Sequence, residues 1–593
     1  MEIRPLLRFA ALLMVLGAGL YLLANRHATS GPPAAGRAAA LRSLSQSATG
    51  ASAQSGATTD LSKPVTPVAV NLAALPAPPA EGAPPVGYQG EAGRPESPAS
   101  AAELVALRAA ALELPASQVV QEPENGSPLA APSLEDFFEG PDINDCCSYG
   151  AAVPPDPELA VGPGHVIAAV NESFAIYGRD GQTLVGPTTF RAFLGIADGC
   201  GSGEQLFDPN ALYDEAAGRF VLAMDSSGHS YCVAVSAGPD PTTNWHIYRF
   251  VLAGSGLFFD FPQAGIGRDA IFLGGNLFAG FSFDEARVWA FDKWAMYAGQ
   301  PAAGRAQSLP GTEDSPQPMA LHGFAQGQWP SGGPHYILSE TYFNGDNYSV
   351  YAWNNPFSSN TFYKVGTFDL QQVTGVNGGF PLDVPQPGAG NDPVQANDFR
   401  LLDAEYRLGR IWTVQTIGCN PGAGTVNCLR WAQINPTNAQ VEQAGLYASN
   451  GRYRFFGDLA LNGCGDMALG YTRVDPADAT YGYPSVWAAG RRADDPPGQL
   501  SAELPIRQSD TPYTAFDAPP HRWGDYTGLT SDPNGRDLWY IGQYSKNAAN
   551  GFGRWGTVIG RLAFEPAAGL PAGEPAGFSF FQYLPAIFAP AGC

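Results

Sequence analysis

Asp208-Pro209-Asn210-Ala211-Leu212-Tyr213-Asp214-Glu215-Ala216-Ala217-Gly218-Arg219-Phe220-Val221-Leu222 holds the unit from which the rest of the chain can be read. An aspartate opens an apolar run, a glycine followed by arginine turns it, and a second apolar run begins. Two such runs joined by a turn-former describe antiparallel strands. The turn recurs as Gly164-His165-Val166-Ile167, Gly267-Arg268-Asp269-Ala270-Ile271-Phe272 and Gly333-Pro334-His335-Tyr336-Ile337-Leu338. It returns as Gly409-Arg410-Ile411-Trp412, Gly465-Asp466-Met467-Ala468 and Gly535-Arg536-Asp537-Leu538-Trp539. With Gly218 these are seven copies, spaced by roughly 50 to 75 residues, the scale of a propeller blade and its loops.

An aspartate opens the first strand of most units: Asp156, Asp208, Asp260, Asp398, Asp458 and Asp525. The fourth unit has Gln317 near the matching place and breaks the pattern. Each unit reads as strand, turn, strand, loop, strand, close to a four-stranded blade. The expected fold is therefore all-β, a single β-propeller of seven blades. Six or eight blades remain compatible with the long fourth unit. Paired β-sandwiches are the competing architecture, but they rarely repeat one turn at seven near-regular positions.

Composition agrees. The 593 residues include 71 Gly and 53 Pro, only 15% are charged, and 11% are aromatic. Many turn-formers and aromatics suit short strands. The net charge of −23 argues against nucleic acid, whose phosphates need clustered Lys and Arg.

Arg4 and Arg8 lead into an apolar run over 9–23, the pattern of a secretory signal. The run also approaches the roughly 20 residues that span a bilayer. Residues 1–28 are thus a signal peptide or an N-terminal membrane anchor, and either exports the rest of the chain. Residues 29–135, rich in Ala, Pro and Ser, read as a disordered linker with a transient helix over 101–114. The propeller occupies 136–566, with an apolar tail over 567–593. Eight cysteines in an exported chain suggest disulfides, with Cys200–Cys232 and Cys419–Cys428 the expected pairs.

Several segments resemble a family of uncharacterised secreted bacterial β-propeller proteins. They are Pro154-Pro155-Asp156 with Val161-Gly162-Pro163, 171–177, Asp208-Pro209 with Tyr213-Asp214, Arg400-Leu401-Leu402 with Arg407, 465–471, and Arg522-Trp523-Gly524-Asp525-Tyr526. The resemblance spans about 150 to 565 and implies the fold and export, with no activity attached.

The aspartates carry the chemistry the sequence offers. In a propeller, equivalent inner-strand positions form a ring, and six carboxylates at one channel mouth need cations or arginines to offset repulsion. Oxygen-rich rings suit Ca²⁺, with Asp208, Asp214 and Asp525 as candidate ligands. The plainer reading is that each Asp holds its own turn through backbone amides. Carboxylate pairs for glycoside hydrolysis would be Asp208 with Asp214, Asp398 with Asp403 and Glu405, or Asp525 with Asp532. No G-x-S-x-G elbow or nucleotide-binding glycine loop is present. The expected protein is a monomeric, extracellular, non-catalytic binding or adhesion module for a glycan or protein, calcium its one candidate cofactor. A carbohydrate-active hydrolase or lyase using channel-mouth carboxylates is the alternative.

Overall fold

The computed structural model describes residues 58–61, 63–75, 97–117, 129–146, 153–201, 205–388, 392–480, 482–515, 517–546 and 554–565. The N-terminal apolar run, most of the linker and the tail beyond 565 lie outside them. Among the described residues no helix is long and apolar enough to cross a membrane.

Seven inner strands define the architecture: Glu158–Val161, Leu206–Asp214, Leu257–Ile266, Glu313–Pro318, Leu401–Arg407, Tyr453–Leu461 and Gly528–Ser531. Each packs on the next and the seventh on the first, so the ring closes. From each inner strand an antiparallel sheet runs outward, giving blades 1 to 7. All seven glycine turns fall between the first and second strands of a blade. Blade number is set by packing. Every interface between neighbouring blades holds its own apolar cluster, blade 7 on blade 1 included.

Ring closure uses the N-terminal side of the chain. Ser133–Asp142 is the outermost strand of blade 7, pairing with Arg554–Ala563 from Ser133↔Ala563 onward. The expected linker over 29–135 is corrected here, since parts of it are built onto the propeller. Val68–Asn71 adds a fifth strand to blade 2 and Thr58–Asp60 a fifth to blade 3. The helix Ala101–Leu112 is capped by Ser100 and Glu103 and docks on the loops beside blade 5. There Thr425 Oγ1 donates to Ala111 O at 2.6 Å, and Asn420 Nδ2 to Leu114 O at 2.8 Å. Composition alone could not show this, because the ordering entropy is offset by sheet edges and apolar surface belonging to distant blades.

The fourth blade is corrected too. Its register slips between Asp314 and Gln317, as that of blade 3 slips between Asp260 and Gln263. Asp314 is therefore the counterpart of Asp260. A bulge residue with positive φ sits at this level in several blades, including Asp208 (54°), Ser315 (44°) and Phe456 (50°). Each of these three turns its backbone N–H toward the preceding blade. Asp208 N reaches Asn171 Oδ1 at 2.9 Å, Ser315 N reaches Asn276 Oδ1 at 2.8 Å, and Phe456 N reaches Thr416 Oγ1 at 3.1 Å. The bulges serve as staples between blades.

Both expected disulfides are present, in keeping with an extracellular protein. Cys200–Cys232 spans 32 residues and Cys419–Cys428 spans 9. Loop-closure entropy makes the longer loop worth about 1 kcal/mol more. Replacing Cys200 and Cys232 with alanine is expected to lower the guanidinium midpoint further than replacing Cys419 and Cys428. The opposite order would reject the entropic account.

Candidate functional site

The central channel gathers the chain's buried charge at three levels. At the mouth where inner strands begin, Asp156, Asp208 and Asp525 each place a carboxylate oxygen within 4.8 Å of the others. All three already accept hydrogen bonds. Asp156 takes Asp525 N at 2.6 Å on Oδ1 and Asn171 Nδ2 at 2.6 Å on Oδ2. Asp208 takes the Tyr526 hydroxyl at 2.9 Å. Asp525 takes Asn397 Nδ2 and, at 2.6 Å, Arg522 Nη2.

Across the same mouth Asp398 pairs with Arg400 Nε at 2.8 Å, and the Arg400 guanidinium lies 3.7 Å from the centre of the Phe261 ring. Burial first, then Asp208, Asp525, Asp260 and Asp156, push the Tyr526 hydroxyl well above its ordinary pKa. Tyr526 therefore stays a donor. The repulsion expected of an aspartate ring is met largely by Arg400, Arg522 and neutral donors. Asp156 and Asp208 are buried, and Asp525 is only partly exposed.

Two expected members lie elsewhere. Asp458 follows its bulge instead of preceding it, so it sits deeper, accepting from Leu459 N and Leu529 N at 2.6 Å each. There it joins Asp403 and Glu158. Burial raises all three carboxyls well above the usual range; Asp403 raises Asp458 and Glu158 further, and Glu405 raises Asp403. Asp214 ends the inner strand that contains Asp208, six residues or about 20 Å away. It is bound to Lys293 Nζ at 2.7 Å and Tyr297 OH at 2.9 Å. The oxygen cluster a divalent cation could use thus has Asp156 where Asp214 was expected. Asp208 and Asp214 are also too far apart for glycoside hydrolysis, which needs roughly 5–9.5 Å. Asp532 caps the blade 7 turn at the far end, paired with Arg179 and with Trp539 Nε1 at 2.8 Å, well away from Asp525.

The second mouth is plugged. Between the strands Ala320–Leu321 and His335–Thr341, the chain of blade 4 crosses the channel. His322 lies between Glu405 (3.1 Å) and Glu215 (3.3 Å), and the Glu215 carboxylate also accepts Phe324 N at 2.7 Å. Gln326 Nε2 donates to Pro533 O at 3.0 Å and Gln328 Nε2 to Gly463 O at 2.8 Å. One loop of blade 4 thereby ties blades 2, 5, 6 and 7. Burial disfavours the His322 charge, but Glu405 and Glu215 outweigh it and raise the pKa to about 10, so the latch is ionic at neutral pH.

Sequence reasoning gave no site role to Asp314, Glu340, Arg400, Arg522, Tyr526, His322 or Glu215, though it did single out Glu405. The Asp-x-Pro-Gln match between Asp260–Gln263 and Asp314–Gln317 could have found Asp314. Nothing local marks His322, whose partners are 107 and 83 residues away. Chemically, the channel offers buried carboxylates, many of them bonded to backbone amides, arginines or a tyrosine, with a loop across one end.

No family model and no curated protein matches this chain. Among solved structures it is similar to Raptor of Chaetomium thermophilum at 8% identity and a TM-score of 0.35, covering 74% of this chain and 29% of that one. The chain thus spans under a third of that protein's length. It is similar to the WD40 domain of SCAP from fission yeast at 9% identity and TM-score 0.32, over 72% of this chain and 98% of that one. It is also similar to the polysaccharide lyase Uly1 at 10% identity and TM-score 0.35, over 72% and 99%. At such scores none of the three bears on what this chain binds or does.

Proposed function

We propose that the protein is an extracellular, non-catalytic binding module whose ligand, a glycan or a protein, is recognised by a propeller face. The channel supports this reading: its carboxylates are bonded to backbone amides, arginines and a tyrosine, and a loop fills one mouth. A structural calcium ion, in the same reading, belongs at Asp156, Asp208 and Asp525.

The test incubates the full-length chain with a panel of polysaccharides, in calcium or in EDTA, and scores retention and newly released sugar ends. Retention without release is expected, with a lower unfolding midpoint in EDTA. An unchanged midpoint removes the ion from the reading. Released ends that vanish in Asp525→Asn would replace the module by a hydrolase or lyase. Silence in both readouts leaves a protein ligand.

A further inference from the structure

On the face of the glycine turns, a small, partly enclosed cleft with a water-sized interior lies between blades 3 and 4, lined among others by Arg268, Phe272, Pro330, His335 and Trp353. His335 is 6% exposed and stacks flat on Phe272, ring centres 3.8 Å apart. Neither of its ring nitrogens has a hydrogen-bond partner among the described residues. Burial, helped by the charge of Lys293, lowers its pKa to about 3. The imidazole is therefore neutral, with one N–H to give and one bare nitrogen to accept. Leaving both buried and unmet is costly, and such groups normally mark water or a ligand.

The charges nearby are already matched. Lys293 is held by Asp214 at 2.7 Å and Gly267 O at 2.6 Å, and Arg268 by Asp269 at 2.9 Å. The ligand that suits such a cleft is uncharged and can donate to the bare nitrogen or accept from the N–H, as a hydroxyl can. Aromatic surface adjoins. Trp294 is 50% and Phe324 48% exposed, and Trp329 is half-buried with Nε1 unpartnered among the described residues. The centres of the Trp294 and Trp329 rings lie 4.8 and 5.2 Å from Lys293 Nζ, so two indoles flank one buried ammonium beside the cleft. Indole faces offer the apolar C–H surface of a sugar ring a flat partner.

We propose that this cleft binds a neutral sugar unit, stacked on the Trp294–Trp329 rim with a hydroxyl meeting His335. The proposal rests on the binding reading above and narrows it to uncharged glycans at a face site outside the channel. The full-length chain is titrated with neutral polysaccharides (a glucan, galactan, mannan, xylan and arabinan), and affinity is compared with two variants. His335→Phe keeps the stack on Phe272 and deletes both nitrogens. Trp294→Ala alters an exposed side chain and serves should the first variant fold poorly. At least a tenfold loss in His335→Phe and at least threefold in Trp294→Ala, for a glycan the parent retains, is the expected result. Equal affinity in parent and variants overturns the cleft while the binding reading stands. A parent that retains none of the five overturns the neutral-sugar assignment. Release of new sugar ends overturns the reading beneath it.

Discussion

Replacing Lys293 with methionine is expected to lower the unfolding free energy by about 3–5 kcal/mol, the usual consequence of breaking a buried ion pair on one side. Lys293 and Asp214 are both wholly buried, 2.7 Å apart. Burial disfavours the Lys293 charge and lowers its pKa somewhat, against the attraction of Asp214. With the ammonium gone, Asp214 would keep the Tyr297 hydroxyl and the amides of Ala216 and Ala217 but no counter-charge. Lys293 also donates to Gly267 O, so the variant strands a carbonyl between blades 2 and 3. Asp214→Asn should cost a similar amount by leaving the ammonium uncompensated. The double variant should recover much of the loss, because replacing both partners of a buried pair with neutral groups is often close to harmless. Guanidinium unfolding of the four proteins measures the coupling. Additive losses would show that the pair acts as two unrelated side chains.

Stability should be several kcal/mol greater at pH 5 than at pH 8. Asp314, Glu340 and Asp458 are buried, and burial raises each carboxyl well above its ordinary value, as it does for Asp403 and Glu158. The folded state therefore keeps protons that the unfolded chain releases near pH 4. Their stabilising contribution is complete below about pH 4 and drains as pH climbs toward the folded pKa, at about 1.4 kcal/mol per unit per group. His322 acts in the same direction at higher pH, its contribution present below about 6.5 and lost through about 10. Glu215 and Glu503 oppose this on the acid side, as does His335, whose lowered pKa favours the fold as pH rises from about 3 toward 6.5. Burial raises both glutamates, but His322 in one case and Arg454 with Arg473 in the other hold them below the ordinary range. Their contribution is lost only as pH falls below about 4.5. The net charge of −23 adds self-repulsion as pH rises. Guanidinium midpoints at pH 5, 6.5 and 8 give the test, and a midpoint that rises across the series rejects it. Asp403→Asn, which makes one of these groups permanently neutral, should flatten the slope.

By itself the sequence determined the propeller. Glycine turns, the apolar runs they join and the spacing of seven copies are local features, set by turn chemistry and by side chains alternating across a strand. The two disulfides were also legible, because Cys200 and Cys232 flank one strand-rich unit and Cys419 and Cys428 flank a hairpin loop. Tertiary structure alone decided what the aspartates do. Asp156 meets Asp525 N across 369 residues and Asp208 meets Tyr526 across 318. No pattern along the chain encodes which inner strand lies beside which across a closed ring. It likewise decided that Thr58–Asp60 and Val68–Asn71 are strands. Segments of three and four residues carry too little periodicity to declare themselves, and they are ordered by outer edges whose unpaired amides and carbonyls only the assembled blades present.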